Sequence, residues 1–274
     1  MLHLAQLTKH FGATVAVDHM TVDILPGQMV GVIGRSGAGK STLLRLINRL
    51  LDPTHGSVHY RGHNVTALKG PAVHRWRARC AMIFQQFNLV GRLDVLTNVL
   101  IGRLSYHWTV PSLLKCFSAA ERAMAVRVLE RLDLLPQALQ RADTLSGGQQ
   151  QRVAIARTLI QGPEIILADE PIASLDPRNA QRVMAALRAI NRDDGLTIVC
   201  NLHALDMACA FCDRVIGMAK GHVVFDGPPA ALTPEILGEI YGTDEGDEDP
   251  HEAMASPGRP GMGDQRAALL AAGR

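Results

Sequence analysis

Short apolar runs alternate with segments of helical periodicity along most of the chain. Residues 29–33 form an apolar run of strand length, and leucine and isoleucine then recur at helical spacing between residues 43 and 51. The alternation continues with strand-like runs at residues 80–84, 165–168 and 197–201 and helical segments at residues 178–192 and 205–211. This pattern predicts a doubly wound α/β core built on a mostly parallel sheet.

The two flanks of this core show a different pattern, in which apolar and polar positions alternate. Residues 2–30 contain short alternating runs broken by Gly12, Pro26 and Gly27, which predicts an N-terminal antiparallel β subdomain. A second pair of runs, at residues 215–218 and 222–225, predicts a closing hairpin.

The strand pattern disappears between about Gly91 and Arg157. Within this stretch Ala123, Val126, Leu129 and Leu132 recur at helical spacing, which predicts a helix over residues 119–132. We therefore expect a helical subdomain at about residues 91–157, inserted between two strands of the parallel sheet.

The composition changes again beyond Gly242. A Gly-, Pro- and Ala-rich end follows an acidic run that contains Asp244, Glu245, Asp247, Glu248, Asp249 and Glu252. Such a segment buries too little apolar surface to fold by itself. The sequence therefore predicts one domain at residues 1–242 and a largely disordered tail at residues 243–274, to which no function is assigned.

The composition of the 274 residues limits the class of protein. The net charge of +2 argues against a surface that coats nucleic acid, so no nucleic-acid partner is expected. No stretch approaches the roughly 18 uninterrupted apolar residues of a membrane-spanning helix. The N-terminus lacks the basic start and apolar segment of a signal peptide. We expect a cytosolic protein unless a partner holds it at a membrane.

Four of the five cysteines allow a prediction from their context. Cys80 and Cys200 lie in apolar, strand-like runs, as small core residues do. Cys209 and Cys212 are three positions apart on a predicted helix, without the second cysteine pair or the histidines of a zinc site. Core packing is therefore predicted for this pair rather than metal or redox chemistry.

A glycine-rich segment follows the first predicted core strand. It matches the P-loop pattern G-x-x-x-x-G-K-[ST] and consists of Gly34, Arg35, Ser36, Gly37, Ala38, Gly39, Lys40, Ser41 and Thr42. Glycines let backbone N–H groups approach phosphate oxygens, and the helix N-terminus adds positive charge. Lys40 supplies a cation for the β- and γ-phosphates, and the Ser41 hydroxyl can ligate Mg²⁺. The P-loop predicts a nucleoside triphosphate site; a glycine-rich turn that binds nothing is the alternative.

Two carboxylates follow the predicted strand at residues 165–168. Asp169 and Glu170 would lie at the carboxyl end of a buried strand, which is the edge where α/β sheets bind ligands. Asp169 is suited to hold Mg²⁺ directly or through water, and Glu170 can accept a proton from an attacking water. The alternative is a pair of surface carboxylates, which the P-loop upstream disfavours.

The segment at residues 145–149, Leu-Ser-Gly-Gly-Gln, has two interpretations. Locally, Ser146 and Gln149 predict a capping box that opens a helix extending to about Ile160. Gly147 and Gly148 leave the first N–H groups of this helix accessible. The segment also resembles the LSGGQ signature of ABC-type ATPases, and the match is complete. The resemblance extends over nearly the whole chain to about residue 242.

In that family, the signature of one subunit faces the γ-phosphate of ATP that a second subunit holds. The resemblance therefore implies a head-to-tail homodimer that binds ATP and Mg²⁺ at each interface. The resemblance also implies contacts to the partner's nucleotide from Ser146, Gly147, Gly148, Gln149 and Asp176. It implies a Mg²⁺ contact from Gln85 and a catalytic γ-phosphate contact from His203. Phe11 would stack on adenine. Two alternatives stay open, because Gln86 could take the place of Gln85 and Phe11 could be a core residue.

A closer resemblance is to the ATPases of phosphonate importers, in segments at residues 87–93, 97–103, 170–177, 200–203 and 223–227. It implies a subunit that hydrolyses ATP to power import through a separate transmembrane permease, at the cytoplasmic face of the bacterial inner membrane. An extracytoplasmic phosphonate-binding protein would be an indirect partner. An importer of polar amino acids or another small anion shares every catalytic motif and stays an alternative, as does a non-transport ABC ATPase.

Overall fold

The computed structural model describes residues 1–106 and 117–242. The strands are β1 (Leu2–Phe11), β2 (Thr14–Ile24), β3 (Met29–Ile33), β4 (His55–Tyr60), β5 (His63–Asn64), β6 (Cys80–Ile83), β7 (Ile165–Asp169), β8 (Thr197–Asn201), β9 (Arg214–Ala219) and β10 (His222–Gly227). The α-helices are α1 (Lys40–Ile47), α2 (Pro71–Arg79), α3 (Val95–Leu100), α4 (Ala119–Arg131), α5 (Gly147–Leu159), α6 (Pro177–Asp194), α7 (Leu205–Phe211) and α8 (Pro234–Tyr241). The tail predicted to be disordered, at residues 243–274, lies outside the described residues, as does part of the predicted helical subdomain, at residues 107–116.

Two sheets organise the described part of the chain. The larger has the strand order β10-β9-β3-β8-β7-β6, and its strands are parallel except β10, which pairs with β9 as a hairpin. The smaller sheet is antiparallel and has the order β2-β1-β4-β5. The predicted α/β fold with a mostly parallel sheet and an N-terminal antiparallel sheet is therefore confirmed.

The larger sheet separates two apolar cores. Along β3, Met29 and Ile33 point into the core shared with α4 to α8, while Val30 and Val32 point into the core shared with α1 and the antiparallel sheet. Alternate residues of a strand face opposite sides, so a strand covered on both sides must be apolar throughout. Burying each such Val or Ile side chain contributes about 1.5–3 kcal/mol.

Helix α1 begins directly after the P-loop and buries the leucines at its centre against the antiparallel sheet. The periodicity predicted an apolar helical face extending through Leu50, which is wrong. The helix ends at Ile47, Arg49 has a positive φ of 63°, and the side chain of Leu50 is 41% exposed. Asn48 caps the end of α1 and donates its side-chain amide to the carbonyl of Cys80.

The helix predicted over residues 119–132 is confirmed as α4. Of the four apolar positions at helical spacing, Leu129 and Leu132 are buried, whereas Ala123 and Val126 are exposed. The other buried positions of the helix are Glu121 and Ala125. A reciprocal capping box between Ser118 and Glu121 fixes the start of α4 and turns the acidic residue inward. No helix within residues 1–106 and 117–242 is both long and apolar enough to span a membrane.

Candidate nucleotide-binding and catalytic site

The P-loop, residues 34–42, connects β3 to α1 and is held between two other strands. A Cβ atom at Gly34 would overlap the carbonyl oxygen of Met218 in β9, and one at Gly39 would overlap that of Ala16 in β2. Both glycines have positive φ values, 148° and 102°. Since only glycine combines this conformation with so close an approach, the loop shape depends on these two positions.

Lys40 lies inside the curve of the P-loop, with 4% of its surface exposed. Its Nζ donates to the carbonyl oxygens of Gly34 at 2.6 Å and Arg35 at 2.9 Å. Burial lowers the pKa of Lys40, while the nearby carboxylates of Glu170 and Asp169 raise it. An ammonium group has three donors, so one remains for a ligand after both carbonyls are satisfied.

Three side chains meet at the start of α1. Ser41 Oγ donates to Asp169 Oδ1 at 2.7 Å, and Asn201 Nδ2 donates to the same carboxylate oxygen at 2.8 Å and to Ser41 Oγ at 3.1 Å. The neighbouring parallel strands β7 and β8 bring Asp169 and Asn201 into register. Arg45 Nη2 lies 3.8 Å from the other oxygen of Asp169.

These oxygen atoms suit a magnesium ion. Hydroxyl and carboxylate oxygens are the hard ligands that Mg²⁺ prefers, and the ion usually takes only one or two protein groups beside substrate phosphates. Within residues 1–106 and 117–242, no group of three or more His, Cys, Asp or Glu side chains could hold a metal. Ser41 and Asp169 therefore fit a nucleotide-assisted Mg²⁺ site, not a metal cage made by the protein alone.

Glu170 and His203 form a second polar pair at the same edge of the sheet. His203 Nε2 lies 2.8 Å from Glu170 Oε1. Glu170 has a positive φ of 51°, and its backbone N–H donates to the carbonyl of Asn201 at 3.2 Å. A cavity of about 330 Å³ opens beside Glu170, Asn201 and His203. A water molecule can therefore reach the carboxylate of Glu170.

The LSGGQ segment forms the start of α5. Ser146 Oγ accepts from the backbone N–H of Gln149 at 3.4 Å, and Gln149 Oε1 accepts from that of Ser146 at 3.0 Å. The predicted capping box is thus present. A Cβ at Gly148 would lie 2.7 Å from Asn179 Cγ, so the signature packs tightly on the first turn of α6.

Asp176 precedes α6 and caps it. Its carboxylate accepts from the backbone and the side-chain amide of Asn179, at 3.0 and 2.6 Å, and these bonds lower the pKa of Asp176. Because Asn179 also packs against Gly148, the cap of α6 and the start of α5 form one exposed ridge that contains Ser146 and Asp176.

The remaining predicted contacts are those of Phe11 and Gln85. Phe11 ends β1 with 49% of its surface exposed, which shows that the alternative of a core residue is wrong. Lys9 Nζ lies 5.2 Å from the centroid of its ring. Gln85 and Gln86 both follow β6 with exposed side chains. The Mg²⁺ contact stays a prediction for Gln85, with Gln86 as the alternative.

The prediction for the cysteines is partly wrong. Cys80, Cys200 and Cys212 are buried, as core residues should be, but Cys209 is exposed. Helix α7 ends at Phe211, and Cys212 is its C-cap, with its backbone N–H donating to the carbonyl of Ala208. Cys212 instead packs against the strand β3, 3.0 Å from the position of a Cβ on Gly31.

Two polar contacts near the site were not predicted. The sequence does not predict a role for Asn201, because only the register of β8 with β7 places it beside Asp169. Arg157 in α5 donates to the carbonyl oxygens of Asn88 at 2.6 Å and Phe87 at 2.9 Å. These contacts link residues about 70 positions apart in the chain, so no local pattern could indicate them.

A P-loop, a strand ending in two carboxylates and a capped Ser-Gly-Gly-Gln helix start together define an ATP-binding cassette. The model of the ABC transporter family matches residues 17–173, and the chain belongs to this family as an ABC ATPase. It is 60% identical over 254 residues to the "Phosphonates import ATP-binding protein PhnC" of Agrobacterium fabrum, covering 93% of this chain and 89% of that protein. The protein of the same name from Bradyrhizobium diazoefficiens is 57% identical over 269 residues, covering 98% of this chain and all of that protein.

Solved structures of cassettes resemble the whole fold. The dimeric, post-hydrolysis structure of the cassette MJ0796 bound to ADP and Pi has a TM-score of 0.73 and 33% identity, covering 85% of this chain and 100% of that one. A nucleotide-free cassette from an ABC transporter has a TM-score of 0.74 and 25% identity, covering 88% of this chain and 94% of that one. The predicted ABC ATPase fold is confirmed.

Proposed function

We propose that the chain is the ATP-hydrolysing subunit of a phosphonate importer. The observation that carries this proposal is the 57–60% identity to phosphonate-import ATP-binding proteins along nearly the full chain. The site supports the energy-supplying part of the function. A cassette need not touch the transported molecule, so the substrate is assigned from these relatives and not from the chemistry of the site.

The P-loop is the proposed binding site for the phosphates of ATP. The N–H groups of residues 34–42 and the N-terminus of α1 supply partial positive charge, and Lys40 adds a full charge from within the loop. The two carbonyl contacts of Lys40 hold its ammonium group at the loop before ATP arrives, which reduces the entropy lost on binding. We assign phosphate contacts to Gly34, Arg35, Ser36, Gly37, Ala38, Gly39, Lys40, Ser41 and Thr42 and adenine stacking to the exposed ring of Phe11.

Ser41, Asp169 and Gln85 are the residues that we assign to hold Mg²⁺. The ion, when bound, would neutralise charge on the phosphate oxygens. Ser41 and Asp169 already lie 2.7 Å apart through their oxygens. Gln85 leaves the sheet at the same edge, because Ile83 of β6 is in register with Ala168 of β7.

Glu170 is the proposed general base. Its carboxylate accepts a proton from a water molecule whose oxygen attacks the γ-phosphorus, while the bond from that phosphorus to the β-γ bridging oxygen breaks. His203 holds the carboxylate through the 2.8 Å contact, and we assign to His203 the γ-phosphate contact that the family resemblance implies. General-base assistance of this kind contributes roughly 10²–10⁴ in rate.

A second copy is proposed to complete the site. Ser146, Gly147, Gly148, Gln149 and Asp176 are assigned to contact ATP held by the partner copy. Ser146 and Asp176 are exposed at the N-termini of α5 and α6, and helix N-termini favour phosphate groups. The resulting homodimer would dock on a transmembrane permease at the cytoplasmic face of the inner membrane. An extracytoplasmic phosphonate-binding protein would deliver substrate to that permease, without touching this chain.

Growth on a phosphonate as the sole source of phosphorus tests the proposal. A strain lacking this chain should fail to grow on the phosphonate, and the full-length chain should restore growth while a Glu170→Gln variant should not. Growth on inorganic phosphate is the control and should be normal in every strain. Normal growth on phosphonate without the chain, combined with loss of growth on a polar amino acid as nitrogen source, would favour the alternative importer.

A further inference from the structure

Asn201 is the last residue of β8 and is fully buried, with an exposed fraction of 0%. Its side-chain amide has two hydrogens, and one is directed to Asp169 Oδ1 and the other to Ser41 Oγ, at 2.8 and 3.1 Å. The amide orientation follows from chemistry, because an ionised carboxylate only accepts hydrogen bonds and must face the NH₂ group. Asn201 thus ties together the two oxygens assigned to Mg²⁺.

The other end of the Asn201 side chain is unusual. Within the described residues, its Oδ1 is buried and has no hydrogen-bond partner. Buried acceptors without a donor are rare in folded proteins, and each one calls for an explanation such as a water molecule or an ion. Here the orphaned oxygen belongs to a side chain that lines the cavity beside Glu170 and His203. Water held on a metal is a strong donor that could satisfy it.

We propose that Asn201 is a positioning residue for Mg²⁺, holding Ser41 and Asp169 at ligand spacing and accepting a hydrogen bond from water on the ion. This inference rests on the proposed ATPase function. The side chain would act through Ser41 and Asp169 and does not itself bind the metal. Loss of such outer contacts typically weakens metal affinity about 10- to 100-fold.

The test measures the Mg²⁺ concentration that gives half-maximal ATP-driven dimerisation of the full chain, by light scattering, in a Glu170→Gln background that retains ATP. Asn201→Ala and Asn201→Leu should raise this concentration about 10- to 100-fold. Leucine fills the buried volume without a donor, so one variant stays measurable if the cavity left by alanine prevents folding. Asn201→Thr retains one donor and should fall between the parent and the alanine variant.

Asn191 provides a matched control. It is also a buried asparagine, and its amide donates to the carbonyls of Gly27 at 2.8 Å and Leu196 at 2.7 Å, away from the site. Asn191→Ala should lower the melting temperature without changing the Mg²⁺ midpoint. Equal midpoints in the Asn201 variants and their parent, or equal shifts in the Asn191 and Asn201 variants, would overturn the inference.

A separate measurement tests ATP binding independently of the role proposed for Asn201. Binding of a fluorescent ATP analogue in the presence of EDTA should be unchanged in the Asn201 variants, because the P-loop and Lys40 are intact. Absence of nucleotide binding in the parent would refute the ATPase proposal itself. Binding in the parent with a Mg²⁺ midpoint insensitive to Asn201 would refute only the positioning role.

Discussion

His203 Nε2 lies 2.8 Å from Glu170 Oε1, although the two residues are 33 positions apart in the chain. His203 follows β8 and Glu170 follows β7. These strands are neighbours, and their register brings their carboxyl ends to the same edge of the sheet. The contact directs the carboxylate of Glu170 while leaving its second oxygen available to a water molecule. This arrangement suits a general base held in place by a histidine.

Replacing Glu170 by glutamine should separate ATP binding from hydrolysis. Glutamine preserves the shape of the side chain but cannot accept a proton, so we expect turnover to fall at least about 10²-fold. ATP binding should persist, and an ATP-bound dimer should accumulate. Phosphate release gives the rate, and light scattering with and without ATP gives the oligomeric state.

Glu164→Gln is the control for this variant. Glu164 lies just before β7, where it pairs with Arg79 and Arg61 at the opposite end of the strand from Glu170. Its loss should leave the rate of phosphate release unchanged. Normal turnover in Glu170→Gln would rule out the proposed general base.

Lys40→Ala should weaken the binding of ATP itself. The ammonium group lies within the P-loop and would form charge-assisted hydrogen bonds to phosphate, each contributing about 1.5–3 kcal/mol. We expect the dissociation constant to rise about 10- to 100-fold. Titration calorimetry measures it, with Lys69→Ala, at an exposed site before α2, as the control. Equal affinities in the two variants would contradict the assignment of Lys40.

Ser146→Arg should bind ATP in single subunits but fail to form an ATP-driven dimer. The new cation would project from the exposed ridge toward the nucleotide site of the partner. The structure offers a close control, because Ser118 caps α4 with the same reciprocal capping box. Ser118→Arg should lose about 1 kcal/mol of stability with its cap and still dimerise. Dimerisation of Ser146→Arg would argue against the head-to-tail arrangement.

The central strands were predictable because each is covered on both sides. Met29–Ile33 is buried throughout, as are the four apolar residues at 165–168, and a strand covered on both sides is typically a continuous apolar run. Helix α2 was not predicted, since it buries only Trp76 and carries several basic residues. A single buried side chain gives no repeating apolar pattern, so hydrophobic periodicity could not indicate this helix.

Some residues of the site could be predicted from the local sequence, and others could not, because tertiary contacts place them. The P-loop and the signature are each one continuous segment of the sequence. The backbone conformation of each segment depends on its own glycines and capping residues. Asn201 and Arg157 depend on register and on tertiary contacts instead. The burial of Glu121 in α4 could not be predicted from apolar periodicity, because Glu121 is polar and is held inward by its capping box with Ser118.

Arg157 should stabilise the connection between the sheet and the signature helix. Its guanidinium donates to two carbonyls, and burial lowers the pKa of Arg157. Arg157→Ala would leave these carbonyls without their donor. We expect the free energy of unfolding, measured with urea, to fall by about 1.5–3 kcal/mol. Hydrogen exchange should accelerate at residues 87–93. Arg127→Ala, on the exposed face of α4, is the control and should change neither quantity.

Glu164 should make stability depend on pH. Hydrogen bonds from Arg79 and Tyr60 lower the pKa of Glu164 below its usual value, although burial opposes them. A carboxylate whose pKa is lower in the folded state stabilises the fold above its unfolded pKa, and this contribution is lost as the pH falls through the folded value. Glu164→Gln should therefore unfold more easily than the parent at pH 7. The difference between the two proteins should shrink as the pH falls below about 4, which urea unfolding at a series of pH values would measure. A difference that stays constant across this range would show that the ionised carboxylate does not contribute.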